Sequence, residues 1–209
     1  LEPSAAATSF KVYVSRDGRG FDNGTTVTGT NTTLSGYAPG DRVFVRVAAL
    51  NAGGEGLATR IGGAQVGTGG AVLVVDGFDR AYTHTSVNWR GIWTHDYAVE
   101  HLHALGNSAP TSPLDFAENE ALTSGAVKLA DYELVDWLLG RESSADRTFD
   151  PTEQALVEAY LQSGGALLAT GTEIGWDLEA RAGGVAFLND ILGVDYVRDD
   201  AGVRIANSP

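Results

Sequence analysis

Hydrophobic and polar residues alternate over the first third of the chain in the manner of β-strands. The alternating segments are residues 10–14, 25–33 and 42–50. Pairs such as Pro39-Gly40 are typical of the turns between strands. Short strands at intervals of roughly 8–12 residues, with no helical pattern between them, are typical of a β-sandwich. We therefore predict a partial all-β sandwich over residues 1–62.

The pattern changes at residues 63–70, a Gly-rich stretch that we expect to be a linker. Beyond it come continuous apolar runs, typical of parallel strands buried on both faces, at residues 71–75, 134–139 and 166–170. Helical patterns follow these runs, at residues 95–105, 150–163 and 178–192, and Gly183-Gly184 is a possible break in the third. The alternation of strands and helices predicts a three-layer α/β domain with a parallel sheet over residues 71–209.

The strongest local signal of a helix is the sequence Asp150-Pro151-Thr152-Glu153. An aspartate can cap the first amides, proline suits the first helical position, and a glutamate at the third position completes a capping box. The sequence therefore predicts a helix that begins at Pro151 and ends near Ser163.

Composition narrows the possible partners and chemistries. The 209 residues include 27 acidic and 14 basic side chains, and the resulting net charge of −13 argues against nucleic acid or an anionic membrane as a partner. No apolar run reaches the roughly 18 residues of a membrane-spanning helix. The chain has no Cys, which excludes thiolate metal sites and a cysteine nucleophile. It also has no Met, and we expect it to be a fragment of a longer chain at both ends.

Polar side chains follow each of the three predicted parallel strands. They are Asp76, Asp79 and Arg80 after the first, Arg141, Glu142 and Ser143 after the second, and Thr170, Thr172, Glu173, Trp176 and Asp177 after the third. Ligands of open α/β sheets bind at the carboxyl ends of the strands. Carboxylates there could form an acid/base pair or hold Ca²⁺, and no other cofactor is predicted. The structural alternative is that these side chains cap helices and accept hydrogen bonds from loop amides.

Most of these residues have a candidate role. For catalysis we select Glu173, Asp177, Glu142, Ser143 and His95, and for ligand binding Asp76, Asp79, Arg80 and Trp176. Glu173 or Asp177 would act as a base, Arg80 would hold an anionic group, and Trp176 would stack on a sugar ring. His95 precedes Asp96 near a helix start and could direct a base toward the first loop. His101 and His103 match no zinc signature and are expected to be surface or capping residues.

The first segment resembles the second half of a fibronectin type III domain. The residues that carry the resemblance are Leu34, Pro39-Gly40-Asp41, residues 43–51 and Gly53-Gly54-Glu55-Gly56. Val43 stands where that family usually has its corner tyrosine. The resemblance implies that the first strands of such a domain are missing before Phe10.

The second segment resembles the class I glutamine amidotransferase-like superfamily, which has a flavodoxin-like fold. More narrowly, it is similar to a segment of large secreted bacterial proteins, labelled xanthan-lyase-like or golvesin-type, that carry fibronectin type III modules beside it. The matching stretches are residues 74–80, 95–97, 131–132, 137–143, 153–154, 164–165 and 173–178. Amidotransferases of this superfamily use a Cys after a central strand, whereas this chain has Gly171-Thr172-Glu173 there. Glutaminase chemistry through a thioester is therefore excluded.

Together these resemblances imply a fragment of an exported modular bacterial protein that binds or processes extracellular glycan. Its location would be secreted or in the cell envelope. Its partners would be a polysaccharide or a cell-envelope glycan, and other modules of the same chain. As an enzyme it would be a hydrolase or lyase acting on a glycan-linked bond. The alternative is a non-catalytic binding or scaffolding module, and the sequence leaves both interpretations open.

Overall fold

The protein has a mixed α/β fold whose computed structural model describes residues 6–79, 86–88, 91–93 and 97–198. The strands are β1 (Ser9–Ser15), β2 (Thr25–Val27), β3 (Arg42–Asn51), β4 (Gly54–Ala58), β5 (Gly62–Gln65), β6 (Val72–Asp76), β7 (Ser86–Asn88), β8 (Gly91–Trp93), β9 (Leu114–Glu118), β10 (Leu134–Gly140) and β11 (Ala166–Gly171). The α-helices are α1 (Tyr97–Ser108), α2 (Asn119–Thr123) and α3 (Pro151–Gln162). A 3-10 turn at Leu129–Asp131 precedes β10, and two π-helical turns at Trp176–Ala180 and Phe187–Ile191 follow β11.

Nine of these strands form one mixed sheet, and β7 and β8 form a separate antiparallel hairpin. The antiparallel part contains β1 to β5, in which β1 pairs with β2 and β3, and β3 also pairs with β4 and β5. The parallel part has the order β9-β6-β10-β11. Its first strand in the chain, β6, is therefore central, with the next strand on one side and the last two on the other.

Helices cover both faces of the two central parallel strands, β6 and β10, which explains their continuous apolar sequences. All five residues of β6 are buried. On one face α1 packs on a cluster that includes Val74, Leu102 and Leu138. On the other face α3 contributes Val157 and Tyr160 to a larger cluster. The mixed α/β class predicted from the sequence is thus confirmed, whereas the division into two named domains stays a prediction.

The first part of the segment that we expected to be a linker, residues 63–65, belongs to the sheet. Residues 63–65 belong to β5, which pairs with β3 and meets the parallel strands where Gln65 lies opposite Leu114. The Gln65 side chain also donates hydrogen bonds to the carbonyls of Ala109 and Ser112. A Cβ atom on Gly63 would lie 2.9 Å from side-chain atoms of its neighbours, so glycine serves close packing here.

The predicted capping box at the start of α3 is confirmed. The Asp150 carboxylate accepts hydrogen bonds from the amides of Thr152 and Glu153, and the Glu153 carboxylate accepts one from the amide of Asp150. The segment 178–192 forms two short π-helical turns rather than an α-helix, and the break expected at Gly183-Gly184 lies within residues 181–186 between them. Within the described ranges, no helix has the length and apolar character needed to cross a membrane.

Candidate functional site

The candidate site lies at the carboxyl edge of the parallel strands, on the face covered by α1. Strand order reverses between β6 and β10, and ligands of open α/β sheets bind in the crevice at such a point. A hydrogen bond crosses this point, because the Asp79 amide donates to Oε2 of Glu142 at 2.7 Å. The loops that follow β6 and β10 are therefore joined at the reversal point.

Asp76, the last residue of β6, is a buried carboxylate held by an arginine from the antiparallel part of the sheet. Its Oδ2 lies 3.0 Å from Nη1 of Arg60, and its Oδ1 accepts a hydrogen bond from the Phe78 amide at 3.1 Å. Arg60 also donates to Oε2 of Glu118 at 2.6 Å, on the neighbouring strand β9. Burial raises the pKa of Asp76 to about 7, and the Arg60 charge opposes this shift only in part.

His101 and Asp136 form a second, partly buried contact on the same face. Nδ1 of His101, on α1, lies 2.7 Å from Oδ2 of Asp136, in the middle of β10. The Asp136 side chain is 2% exposed, and its Oδ1 has no hydrogen-bond partner among the described residues. The hydrogen bond to Asp136 raises the pKa of His101, while partial burial of the ring lowers it by less. Asp136 thus holds the imidazole ring and favours its protonated form.

A pocket of about 320 Å³ opens beside His101. It is lined by Tyr97, His101, Leu138, Gly140, Thr170, Gly171 and Thr172. Among the residues that the structure describes, no helix covers β11 on this face, and Leu168 exposes 48% of its surface there, so the pocket is accessible. It therefore combines an imidazole ring, a phenol and two threonine hydroxyl groups.

This arrangement has the parts of a general acid/base site. A carboxylate bonded to Nδ1 fixes the tautomer of a neutral histidine, so that Nε2 carries the lone pair, and stabilises the imidazolium after proton uptake. Nε2 of His101 has no hydrogen-bond partner among the residues that the structure describes. The geometry therefore allows His101 to accept a proton from a molecule in the pocket.

We expect the imidazole of His101 to titrate above the ordinary histidine value of about 6.5. Protonation of His101 then stabilises the folded protein at pH values below the unfolded-state pKa of about 6.5. This stabilisation is lost as the pH rises through the higher folded-state pKa. In Asp136→Asn the charge is removed while burial remains, so the pKa of His101 should fall. Proton–carbon NMR of the imidazole Hε1 signals across pH 5 to 9 measures both values. An unchanged titration of His101 in Asp136→Asn would contradict this assignment.

The other carboxylates selected from the sequence have separate partners. Oδ2 of Asp177 accepts hydrogen bonds from the amide and the hydroxyl group of Thr148, at 2.8 and 2.9 Å. Glu142 is buried and binds the Asp79 amide, as described above. Glu173 is half-buried, and its carbonyl accepts a hydrogen bond from the Asp177 amide. The contacts of Asp177 and Glu142 tie loops together, and none of the three residues lines the His101 pocket.

The remaining selected residues are placed as follows. Ser143 is half-buried, and its carbonyl accepts hydrogen bonds from two amides of the following turn. Trp176 is half-buried and lies edge-on to Tyr196, with ring centroids 6.2 Å apart. Arg80 and His95 lie outside the described residues, and their roles stay predictions. Ca²⁺ also stays a prediction, and the described ranges contain no group of three acidic or histidine side chains that could hold a metal ion.

Sequence reasoning missed Arg60, His101, Glu118 and Asp136. A signal for Asp136 was present, since it is a charged residue inside an apolar run predicted to be buried, and buried charges require a partner. His101 and His103 were expected to be surface or capping residues, but both make specific contacts. Nδ1 of His103 lies 3.0 Å from Arg42 and its Nε2 lies 3.0 Å from the Asp17 carbonyl, so His103 is fixed at both nitrogens.

The carboxyl edge of the parallel strands brings three features together. It combines a buried carboxylate whose pKa is about 7, a histidine oriented by a second carboxylate, and an accessible pocket beside that histidine. Comparisons of the chain with protein-family models, with curated proteins and with solved structures find no match.

Proposed function

We propose that the chain belongs to an exported modular bacterial protein that processes extracellular glycan by hydrolysing an ester bond. The observation that carries the proposal is the 2.7 Å contact between His101 and Asp136 at the wall of the pocket. Ester hydrolysis needs one group that takes a proton from water and later returns it to the leaving alcohol. A histidine held by a carboxylate is suited to both steps.

In the proposed reaction, Nε2 of neutral His101 removes a proton from a water molecule as its oxygen attacks the ester carbonyl carbon. The imidazolium ion that forms is stabilised by the negative charge of Asp136. When the bond to the alkoxide breaks, the imidazolium returns the proton to the alkoxide oxygen. The hydroxyl groups of Thr170 and Thr172 line the same pocket and are candidates to donate hydrogen bonds to the carbonyl oxygen.

The order of the parallel strands supports the proposed flavodoxin-like, amidotransferase-like assignment. Numbered along the chain, the strands lie in the order second, first, third and fourth, which is the order of the first four strands of that fold. The antiparallel pairing of β1 with β3 is compatible with a fibronectin type III-like segment. Both assignments stand as proposals.

Composition supports the proposed extracellular location and the glycan as partner. The chain lacks Cys, and only Lys11 and Lys128 are lysines, in a chain of net charge −13. Such a surface suits an extracellular or salt-rich environment. Because the protein is acidic, we propose that an acetylated neutral glycan is a better substrate than a polyanion.

The proposal is tested with 4-nitrophenyl acetate and acetylated xylan, measuring nitrophenolate and free acetate. We expect turnover to rise with pH through the raised pKa of His101, because the neutral ring is the base. His101→Gln should lower kcat about 10²- to 10⁴-fold, the usual contribution of a general base. Asp136→Asn should lower kcat and shift the pH profile to lower pH.

His103→Gln is the matched control, since His103 lies on the same helix with both nitrogens in hydrogen bonds. It should leave the pH profile unchanged. Equal turnover in the parent protein and His101→Gln, or no turnover of either substrate, would refute ester hydrolysis by this site.

A non-catalytic binding or scaffolding function is the second candidate. The observation that favours it is that Glu142 and Asp177 each bind a loop amide, as purely structural carboxylates do. Calorimetry with neutral and with acidic polysaccharide fragments, with and without Ca²⁺, tests this candidate. Heat of binding without ester turnover would support a binding function. Loss of that heat in Glu173→Gln would show that Glu173 takes part in the binding. No heat in any of these conditions would refute this candidate.

A further inference from the structure

A second pocket, away from the lining of the His101 pocket, brings two arginines together. It has a volume of about 230 Å³ and is lined by Ser144, Arg147, Asp177, Arg181, Ala182 and Gly183. Among the described residues, neither guanidinium group forms an ion pair or a hydrogen bond, although Arg181 lies over the Trp176 ring at 6.0 Å. Two such arginines in one pocket are notable in a chain with 27 acidic and 14 basic residues.

The walls of this pocket are fastened to one another by buried polar contacts. Asp177, whose Oδ2 binds the amide and hydroxyl group of Thr148, connects the turn that carries Arg147 to the segment that carries Arg181. The Gly183 amide donates to the Asp177 carbonyl at 3.0 Å. Gln154 adds a further connection, because its amide group donates to the Gly183 carbonyl at 3.0 Å. The backbones that carry the two arginines are therefore held in place before any ligand binds.

Two residues of the pocket wall have left-handed backbone conformations. The φ angle is 65° at Arg147 and 56° at Ala182, and these are the two non-glycine residues with positive φ among those described. Such conformations persist where the surrounding structure fixes them, and they are concentrated at ligand sites. Both outliers lie in the same pocket as the two arginines.

We propose that Arg147 and Arg181 bind an oxyanion, either a carboxylate or a tetrahedral sulfate or phosphate group. The planar guanidinium group matches such oxygens with paired N–H donors. Two arginines and Asp177 give the pocket a formal charge of +1, which suits a single anionic group in a protein that repels polyanions. Oδ2 of Asp177 accepts hydrogen bonds from the amide and hydroxyl group of Thr148, so Asp177 holds the pocket wall in place. The two guanidinium groups supply the N–H donors for the anion.

This site uses none of the residues of the proposed ester hydrolysis. His101→Gln should therefore leave oxyanion binding unchanged, and loss of oxyanion binding should leave hydrolysis unchanged. The two proposals can consequently fail separately.

The experiment is a titration of ¹⁵N-labelled full chain with sodium sulfate, sodium phosphate and sodium glucuronate, at ionic strength held constant with sodium chloride. We expect saturable shifts of the Ala182 and Gly183 amides and of the arginine Nε–H signals. Arg147→Gln and Arg181→Gln should each weaken binding at least tenfold. Arg19→Gln is the matched control, because it removes the same charge from an exposed pair with Glu100.

The preferred anion identifies the ligand class. Tighter binding of glucuronate supports a carboxylate ligand, and tighter binding of sulfate or phosphate supports a tetrahedral ligand. Shifts that do not saturate, or an equal loss of binding in Arg19→Gln, would overturn the proposal. Unchanged binding in Arg181→Gln, a substitution at an exposed side chain, would overturn it as well.

Discussion

Asp76→Asn should become more stable relative to the parent protein as the pH rises from 4 to 8. The unfolded aspartate loses its proton near pH 3.9, whereas burial raises the pKa of folded Asp76 to about 7. The folded state therefore retains a proton that the unfolded state releases, and the free energy of unfolding falls with rising pH over this interval. Asparagine cannot lose that proton. The difference between the two proteins should change by up to about 4 kcal/mol, because one pKa unit is 1.36 kcal/mol.

Urea denaturation at pH 4, 5, 6, 7 and 8 measures this difference. Asparagine keeps an oxygen that can accept the Phe78 amide hydrogen bond, so the local backbone contact is retained. Asp190→Asn is the control, since Asp190 is exposed and its replacement should leave the pH dependence as it is in the parent. Parallel pH curves for Asp76→Asn and the parent would contradict the assignment of a raised pKa to Asp76.

Gly67→Ala should destabilise the protein by about 3 kcal/mol, which is at the upper end for an overpacked site. A Cβ atom at Gly67 would lie 2.4 Å from the Pro113 nitrogen and 2.5 Å from the Thr111 oxygen. These are backbone atoms, and they cannot move aside as the end of a flexible side chain can. The same stretch carries the hydrogen bond from the Thr68 amide to the Thr111 carbonyl at 2.8 Å. The clash should therefore weaken the connection between the antiparallel and parallel strands.

The measurement is the midpoint and slope of urea unfolding followed by circular dichroism. Gly20→Ala is the matched control, because nothing lies within 4 Å of a Cβ atom built there. Its stability should stay within about 1 kcal/mol of the parent value. If Gly67→Ala lowered the free energy of unfolding by less than about 1 kcal/mol, the backbone of residues 111–113 would have to move aside for the Cβ atom, and the prediction would be wrong.

Local chemistry explains which elements could be predicted from the sequence. The capping box of α3 and the three apolar strands are set by neighbouring residues, and each was located to within about two residues. Strand β9 was missed because Asp115 and Glu118 interrupt its five residues and leave no continuous apolar run. Its position beside β6 depends on parallel pairing, which a local pattern does not encode.

The candidate site was harder to predict because its members are far apart in the chain. His101 and Asp136 are separated by 35 positions, and Arg60 reaches Asp76 from the antiparallel part of the sheet. The rule that ligands bind at carboxyl ends of parallel strands did select Asp76 and the neighbourhood of β10. The rule could not indicate which carboxylates accept hydrogen bonds from loop amides, as Asp177 accepts one from the Thr148 amide.

The contacts of α1 have a consequence for any attempt to study the second half of the chain alone. His103 is held by Arg42 and by the Asp17 carbonyl, and Phe44 packs against the His103 ring with centroids 4.9 Å apart. These three residues all precede residue 71, whereas His101 lies only two positions from His103 on the same helix. A chain shortened to begin at residue 71 would remove the support that fixes the rotation of α1. Contacts from the antiparallel part of the chain to His103 thus orient α1, and this orientation places the imidazole of His101 against Asp136.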